Sequence, residues 1–343
     1  MSGNFMSGKK VVWALADRGL VTPTTLQPPI SVEIQPTNRC NYDCEFCSYA
    51  VRRKNSEQLS AMALAHLCDD LISLRVKTVY FAGGGEPTTF RGLSNYVSRL
   101  RRAGIEVALI TNGSNLISLE QCGPYCTYFL INVASSDVDV FSTLMGHRMP
   151  SHLEHLGNRL KRELGKDCPV IGARMVLVDK NMGTLSKTVS SLKSWGFDYV
   201  VCTPAADYEN RAIAYAPDLD HPELKKLRGD PPMNDFVVWG PKTSHYDPVE
   251  QCWAISQRMH ALVDARGDIY LCTPDVGASQ LSIGNINETS FAQVWNGPAH
   301  KQRVQELQKR YVAGECRNCR FIKANGYLEE AVRSSEIPHR YFV

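Results

Sequence analysis

Long apolar runs, a charge excess, internal repeats and low-complexity tracts are all missing from this chain of 343 residues. Lys and Arg number 38 against 35 Asp and Glu, giving a formal net charge of +3. A balance that close to neutral gives no electrostatic reason to expect nucleic acid or a membrane surface as partner. No stretch approaches the roughly 18 apolar residues that a spanning helix needs. The start shows no secretory pattern either: the run from Val11 to Ala16 is broken by Asp17 and Arg18, where a signal peptide would keep about 7–15 apolar residues together. The expectation is a cytoplasmic protein. The 9 histidines show no ligand spacing, so no metal is assigned to them.

The chain has ample core material and many thiols. A 43% hydrophobic content over this length suits one large domain and a small one. In a reducing compartment, 12 clustered cysteines point to metal or redox chemistry before disulfides.

From about residue 30 short β-rich runs alternate with helical patterns. Strands are expected at 30–34, 76–81, 106–110, 128–133, 170–178 and 199–202. Ser60 reads as the N-cap of a helix carrying Met62, Leu64, Leu67 and Leu71 at helical spacing. Further helices are expected at 93–103, 151–164 and 185–195. Such alternation implies parallel strands with right-handed crossovers, in an open barrel or a doubly wound sheet. In either, chemistry belongs at the C-terminal strand ends. Residues 206–248 read as a connector, in a stretch with seven prolines from Pro204 onward. Residues 1–29 are expected to be an N-terminal helical extension, 30–205 the main domain and 249–343 a small cysteine-bearing domain.

Cys40, Cys44 and Cys47 stand in Cys-x3-Cys-x2-Cys spacing after the first strand. Thiolates are the usual ligands of iron–sulfur clusters, and a cubane wants four. Three from one loop leave one iron open. Structural zinc is the alternative, but the loop offers no His or further Cys as a fourth ligand.

With Phe46 before the last cysteine, this loop resembles the signature of the radical S-adenosylmethionine (SAM) superfamily. Gly84-Gly85-Glu86-Pro87 resembles the segment that binds the methionine amino group in that family. Ser135, Ser136 and Asp137 resemble its Ser-x-Asp after the fourth strand, a ribose or carboxylate contact. Arg148 lies where relatives carry an arginine for the methionine carboxylate, and Asn112 is a further cofactor contact at the third strand end. The resemblance spans roughly residues 30–205 and implies a partial (β/α)6 TIM-like barrel. It also implies reductive cleavage of SAM to a 5′-deoxyadenosyl radical that abstracts hydrogen from a C–H bond, with a flavodoxin- or ferredoxin-type electron donor.

Cys252, Cys272, Cys316 and Cys319 form a second group. Fourteen residues separate Cys252 from Gly267 and four separate Gly267 from Cys272. The segments around Arg266-Gly267-Asp268 read as a hairpin. Four cysteines also suit a zinc ribbon. The order Cys, Gly-x4-Cys, Gly284-Asn285-Ile286, Trp295, Cys-x2-Cys resembles the SPASM/twitch extension of radical SAM enzymes. No cysteine follows Cys319, so the likeness is to the shorter twitch form, a β-hairpin plus helix. It implies two [4Fe-4S] clusters, the second fully ligated by these four residues.

Two more residues are candidates for the reaction. Cys202, at the end of the sixth strand, could donate hydrogen to a substrate radical. Arg174, on the fifth, could pair with an anionic substrate group. The expected reaction is dehydrogenation or epimerisation of a small polar metabolite: a sugar, aminocyclitol or nucleoside-like molecule. A peptide maturase forming thioethers or D-residues is the alternative. It is weakened because the residues before the first strand are fewer than the roughly 50 of a recognition domain. A non-catalytic zinc-binding module ranks last.

Overall fold

The structure is a computed structural model that describes residues 11–12, 14, 27–50, 55–207, 212–213, 218, 220–230, 233, 235–240, 249–316 and 321–335. Six strands follow the expected order: β1 (Ser31–Ile34), β2 (Thr78–Phe81), β3 (Glu106–Thr111), β4 (Tyr128–Asn132), β5 (Val170–Leu177) and β6 (Tyr199–Pro204). Each pairs in parallel with the next. Helices cross between them: α1 (Ala61–Ser73), α2 (Leu93–Arg102), α3 (Leu116–Cys122), α4 (Val138–Met145), α5 (Leu156–Leu164) and α6 (Leu185–Ser194). Ser60 caps α1 as expected, its side chain accepting from the Ala63 amide at 3.0 Å. This is the α/β partial barrel that the resemblance implied.

The strands carry two different faces. Val79 and Phe81, Val107 and Leu109, Phe129 and Ile131, Ala173 and Met175 are buried against the helices. The alternate residues, such as Tyr80, Ile110, Leu130 and Arg174, line a cavity. A strand's period of two separates helix-facing core from cavity wall.

Three strands extend the sheet beyond these six. In the connector, α7 (Pro222–Arg228) precedes β7 (Val237–Trp239), which pairs in parallel with β6. On the other side β8 (His260–Val263) pairs in parallel with β1, and β9 (Ile269–Tyr270) completes the expected hairpin. The result is one nine-stranded sheet, ordered β9-β8-β1-β2-β3-β4-β5-β6-β7. Both edges of the six-stranded barrel are thereby covered, which satisfies backbone groups that would otherwise stay open. Strands from the expected connector and from the expected C-terminal domain thus join the sheet of the main domain. Helices α8 (Phe291–Asn296), α9 (Pro298–Val312) and α10 (Ile322–Ser335) close the C-terminal part. Most of the expected N-terminal helical extension lies outside the described residues. Among the described residues no helix is long and apolar enough to cross a membrane.

Candidate active site

The C-terminal ends of β1, β2 and β3 are bound into one unit. After β1, Thr37 and Arg39 accept from the amides of Gly85 and Glu86 at 2.9 and 2.8 Å. Only glycine fits this contact. A Cβ at Gly84 would stand 2.1 Å from Asn38 Oδ1, and one at Gly85 would stand 2.0 Å from the Arg39 carbonyl oxygen. The segment after β2 thus presses backbone to backbone on the loop that delivers Cys40.

Glu86 joins the third strand to this pair and is 3% exposed. Its Oε1 accepts from the Thr88 amide, the Thr88 hydroxyl and the Thr111 hydroxyl at 3.0, 2.7 and 2.6 Å. Its Oε2 accepts from the Asn112 amide at 2.7 Å. Burial pushes the carboxyl above its ordinary value, and these four donors act against the shift. Asn112 then reaches the cysteine loop, donating from Nδ2 to Asn41 Oδ1 at 2.8 Å.

The cysteine loop is also held from the α4 side. The Asp43 and Glu45 amides donate to the Met145 and Leu144 carbonyls at 3.2 and 3.0 Å. Tyr42 stacks on His147 with ring centroids 4.4 Å apart. Burial raises the Tyr42 phenol, and the nearby charges of Glu86, Cys44 and Cys40 raise it further.

Cys40, Cys44 and Cys47 line one cavity of about 650 Å³ together with Gly84, Gly85, Glu86 and Asn112. This donor set suits an iron–sulfur cluster: three soft thiolate donors, an adjacent glycine backbone and room for a ligand. The opposite wall holds Asn132, Arg174, Val201 and Thr203. Arg174 Nε donates to Asn132 Oδ1 at 2.7 Å. No carboxylate pairs with this guanidinium among the described residues.

Other expected residues are placed elsewhere. Ser135 is fully buried, 2.9 Å from the Thr184 hydroxyl, and accepts from the Asp137 amide at 3.0 Å. Ser136 is half-buried, its amide donating to Thr188 Oγ1 at 3.0 Å. Neither lines the cavity. Asp137 caps α4, accepting from the Asp139 and Val140 amides at 3.2 Å. Arg148 is exposed, just past the His147 that stacks on Tyr42.

Cys202 corrects an expectation. Strand parity turns it to the helix-facing side, fully buried among core residues, while its neighbours Val201 and Thr203 face the cavity. Burial pushes its thiol up to about 12. It is not among the residues that line the cavity. Cys202→Ala should keep full turnover and lose about 1 kcal/mol of unfolding free energy in denaturant titration. Lost turnover at unchanged stability would return the thiol to the chemistry.

Residues of α9 and α10 hold Cys252 and approach Cys272. Gln308 accepts from the Cys252 amide and donates to its carbonyl, both at 2.9 Å. Asn325 Nδ2 donates to Cys252 Sγ at 3.6 Å. Arg310 lies close enough to Cys272 to feel its charge. Cys252 is buried, Cys272 and Cys316 are half-buried, and Cys319 lies outside the described residues.

The model of the Radical SAM superfamily matches residues 34–181, and that of the SPASM iron-sulfur cluster-binding domain matches residues 252–320. The chain is 21% identical over 321 residues to the tungsten-containing aldehyde ferredoxin oxidoreductase cofactor-modifying protein of Pyrococcus furiosus, covering 86% of this chain and 88% of that one. It is 30% identical over 291 residues to a PqqA peptide cyclase of Xanthomonas campestris pv. campestris (strain B100), covering 80% of this chain and 75% of the cyclase. Among solved structures, Streptococcus suis SuiB bound to its precursor peptide SuiA superposes with a TM-score of 0.64 at 16% identity, over 92% of this chain and 74% of SuiB.

Proposed function

Because the chain belongs to the radical SAM superfamily and carries an iron–sulfur cluster-binding domain of the SPASM type, we propose that it dehydrogenates a small polar metabolite bearing an anionic group. We assign Cys40, Cys44 and Cys47 as the ligands of the cluster that binds SAM. When bound, that cluster and SAM supply a 5′-deoxyadenosyl radical able to remove hydrogen from a C–H bond.

The chain's own residues supply position. Gly84 and Gly85 offer backbone at close range, and Pro87 begins the turn that Glu86 caps. Glu86 and Asn112 fix the cysteine loop against two strand ends. Its proposed role is therefore to shape the amino-group site as well as to accept from it. In this reading Arg148, beside the docked cysteine loop, meets the methionine carboxylate. Ser135 and Ser136 act from behind the wall by holding the turn into α4. Cys252, Cys272, Cys316 and Cys319 are assigned to a second cluster.

The observation that carries the substrate reading is Arg174. It lines the cavity, and Asn132 accepts from its Nε. A guanidinium held in this way suits a carboxylate or phosphate. With Cys202 turned into the core, inversion loses its expected hydrogen donor and dehydrogenation becomes the favoured outcome. The likeness to the PqqA peptide cyclase favours a second reading, in which the anionic group belongs to a peptide side chain.

The test is formation of 5′-deoxyadenosine by reduced enzyme supplied with fractionated cell extract. A protease-resistant, low-molecular-weight, anionic fraction should stimulate it. Arg174→Ala should weaken that stimulation about tenfold to a hundredfold, the loss of a charge-assisted pair, with uncoupled cleavage unchanged. Stimulation confined to a protease-sensitive fraction would replace the metabolite by a peptide.

A further inference from the structure

We propose that Asn325 and Arg310 are positioning residues that hold the reduction potential of the C-terminal cluster high; this rests on the reading of Cys252 and Cys272 as cluster ligands. Iron–sulfur potentials rise with hydrogen bonds to sulfur and with nearby positive charge.

Asn325 on α10 is fully buried and fixed in orientation. Its Oδ1 accepts from the Ala254 amide at 2.8 Å, which leaves Nδ2 aimed at Cys252 Sγ at 3.6 Å. A buried amide locked in this way is a permanent donor to one sulfur. On the other side Cys272 opens the turn that runs to Asp275, a carboxylate only 1% exposed in its side chain. Arg303 pairs with Asp275 at 2.5 Å and Arg310 at 3.4 Å. Each guanidinium adds positive charge beside Cys272, and Arg310 is near enough to interact with its sulfur. Glu306 and Glu315, half-exposed, pair with the same two arginines at 2.8 and 2.9 Å, so the contribution of Arg310 is measured as a difference on its removal.

Two further buried donors lack any acceptor among the described residues: the Thr273 hydroxyl and Arg303 Nε. Thr273 directly follows Cys272. Buried donors of this kind are costly unless something accepts from them, and the sulfur atoms of a cluster would do so.

The test is a potentiometric titration of the whole enzyme followed by electron paramagnetic resonance, with iron counted in each sample. Asn325→Asp keeps the acceptor for the Ala254 amide and removes the donor to sulfur. Arg310→Met removes one positive charge, and Arg310→Lys retains it. The first two should shift the midpoint of the C-terminal cluster to lower potential and leave the other cluster unmoved, while Arg310→Lys should stay near wild type. Arg310 is 22% exposed, so it carries the test if Asn325→Asp fails to assemble. Fully loaded variants with wild-type midpoints would overturn the proposal. Wild-type enzyme holding iron for a single cluster would instead contradict the ligand reading beneath it.

Discussion

Replacing any one of Cys40, Cys44 and Cys47 by alanine is expected to abolish reductive cleavage of SAM. A fall of at least about a thousandfold, or about 4 kcal/mol in barrier, should appear as loss of 5′-deoxyadenosine on chromatography. The expectation follows from ligand count. The loop supplies three thiolates, and a cubane held at two corners is released or rearranged. Iron content should fall by about four atoms per chain, one cubane, with the second group of cysteines intact. Cys68→Ala and Cys202→Ala are the controls. Both thiols are fully buried in the helix-facing core, so both variants should keep their iron. A Cys44→Ala enzyme that still cleaves SAM would remove the loop from the chemistry.

Glu86→Gln is the second large effect, and it separates positioning from charge. The carboxylate accepts from four donors. An amide keeps one oxygen but turns an NH2 group towards at least one of them. A hydrogen bond to a charged acceptor contributes about 1.5–3 kcal/mol, and a stranded buried donor costs about 1–3 kcal/mol. Denaturant unfolding should show a loss of about 2–4 kcal/mol on this basis. SAM affinity should fall with it, because the Asn112 tether and the glycine segment lose their common anchor. Calorimetric titration with SAM checks this. Weakened binding at unchanged stability would mean that Glu86 acts only by direct contact with the ligand.

Much of this was legible in the residues. The Cys-x3-Cys-x2-Cys spacing is local, and so is the run of glycines, whose lack of side chains is the property the contact with Asn38 and Arg39 needs. Ser60 and the α1 periodicity are local as well. Strand parity was less visible. Cys202 stands at the correct strand end, but its direction depends on register with Met175, and register is set between strands. That register pairs Arg174 with Val201 and Val176 with Thr203, which puts these four on the cavity face and Cys202 on the other. The burial of Ser135 was not legible, because its partners Thr184 and Thr188 lie about fifty positions away. The connector strand Val237–Trp239 was hidden by its prolines, and β8 pairs with β1 across more than 200 residues. Neither pairing has a local cause. Asp137 could have been read as the N-cap of α4, since aspartate before an apolar run is a usual helix start.

The central claim is that SAM meets a cluster held by Cys40, Cys44 and Cys47 in the strand-end cavity. The most direct measurement is the electron paramagnetic resonance spectrum of the reduced Cys252→Ala protein, recorded before and after SAM is added. That variant should keep only the loop cluster. The account predicts that SAM shifts the signal by occupying the open iron. A reduced cluster whose spectrum is unchanged at saturating SAM would contradict it.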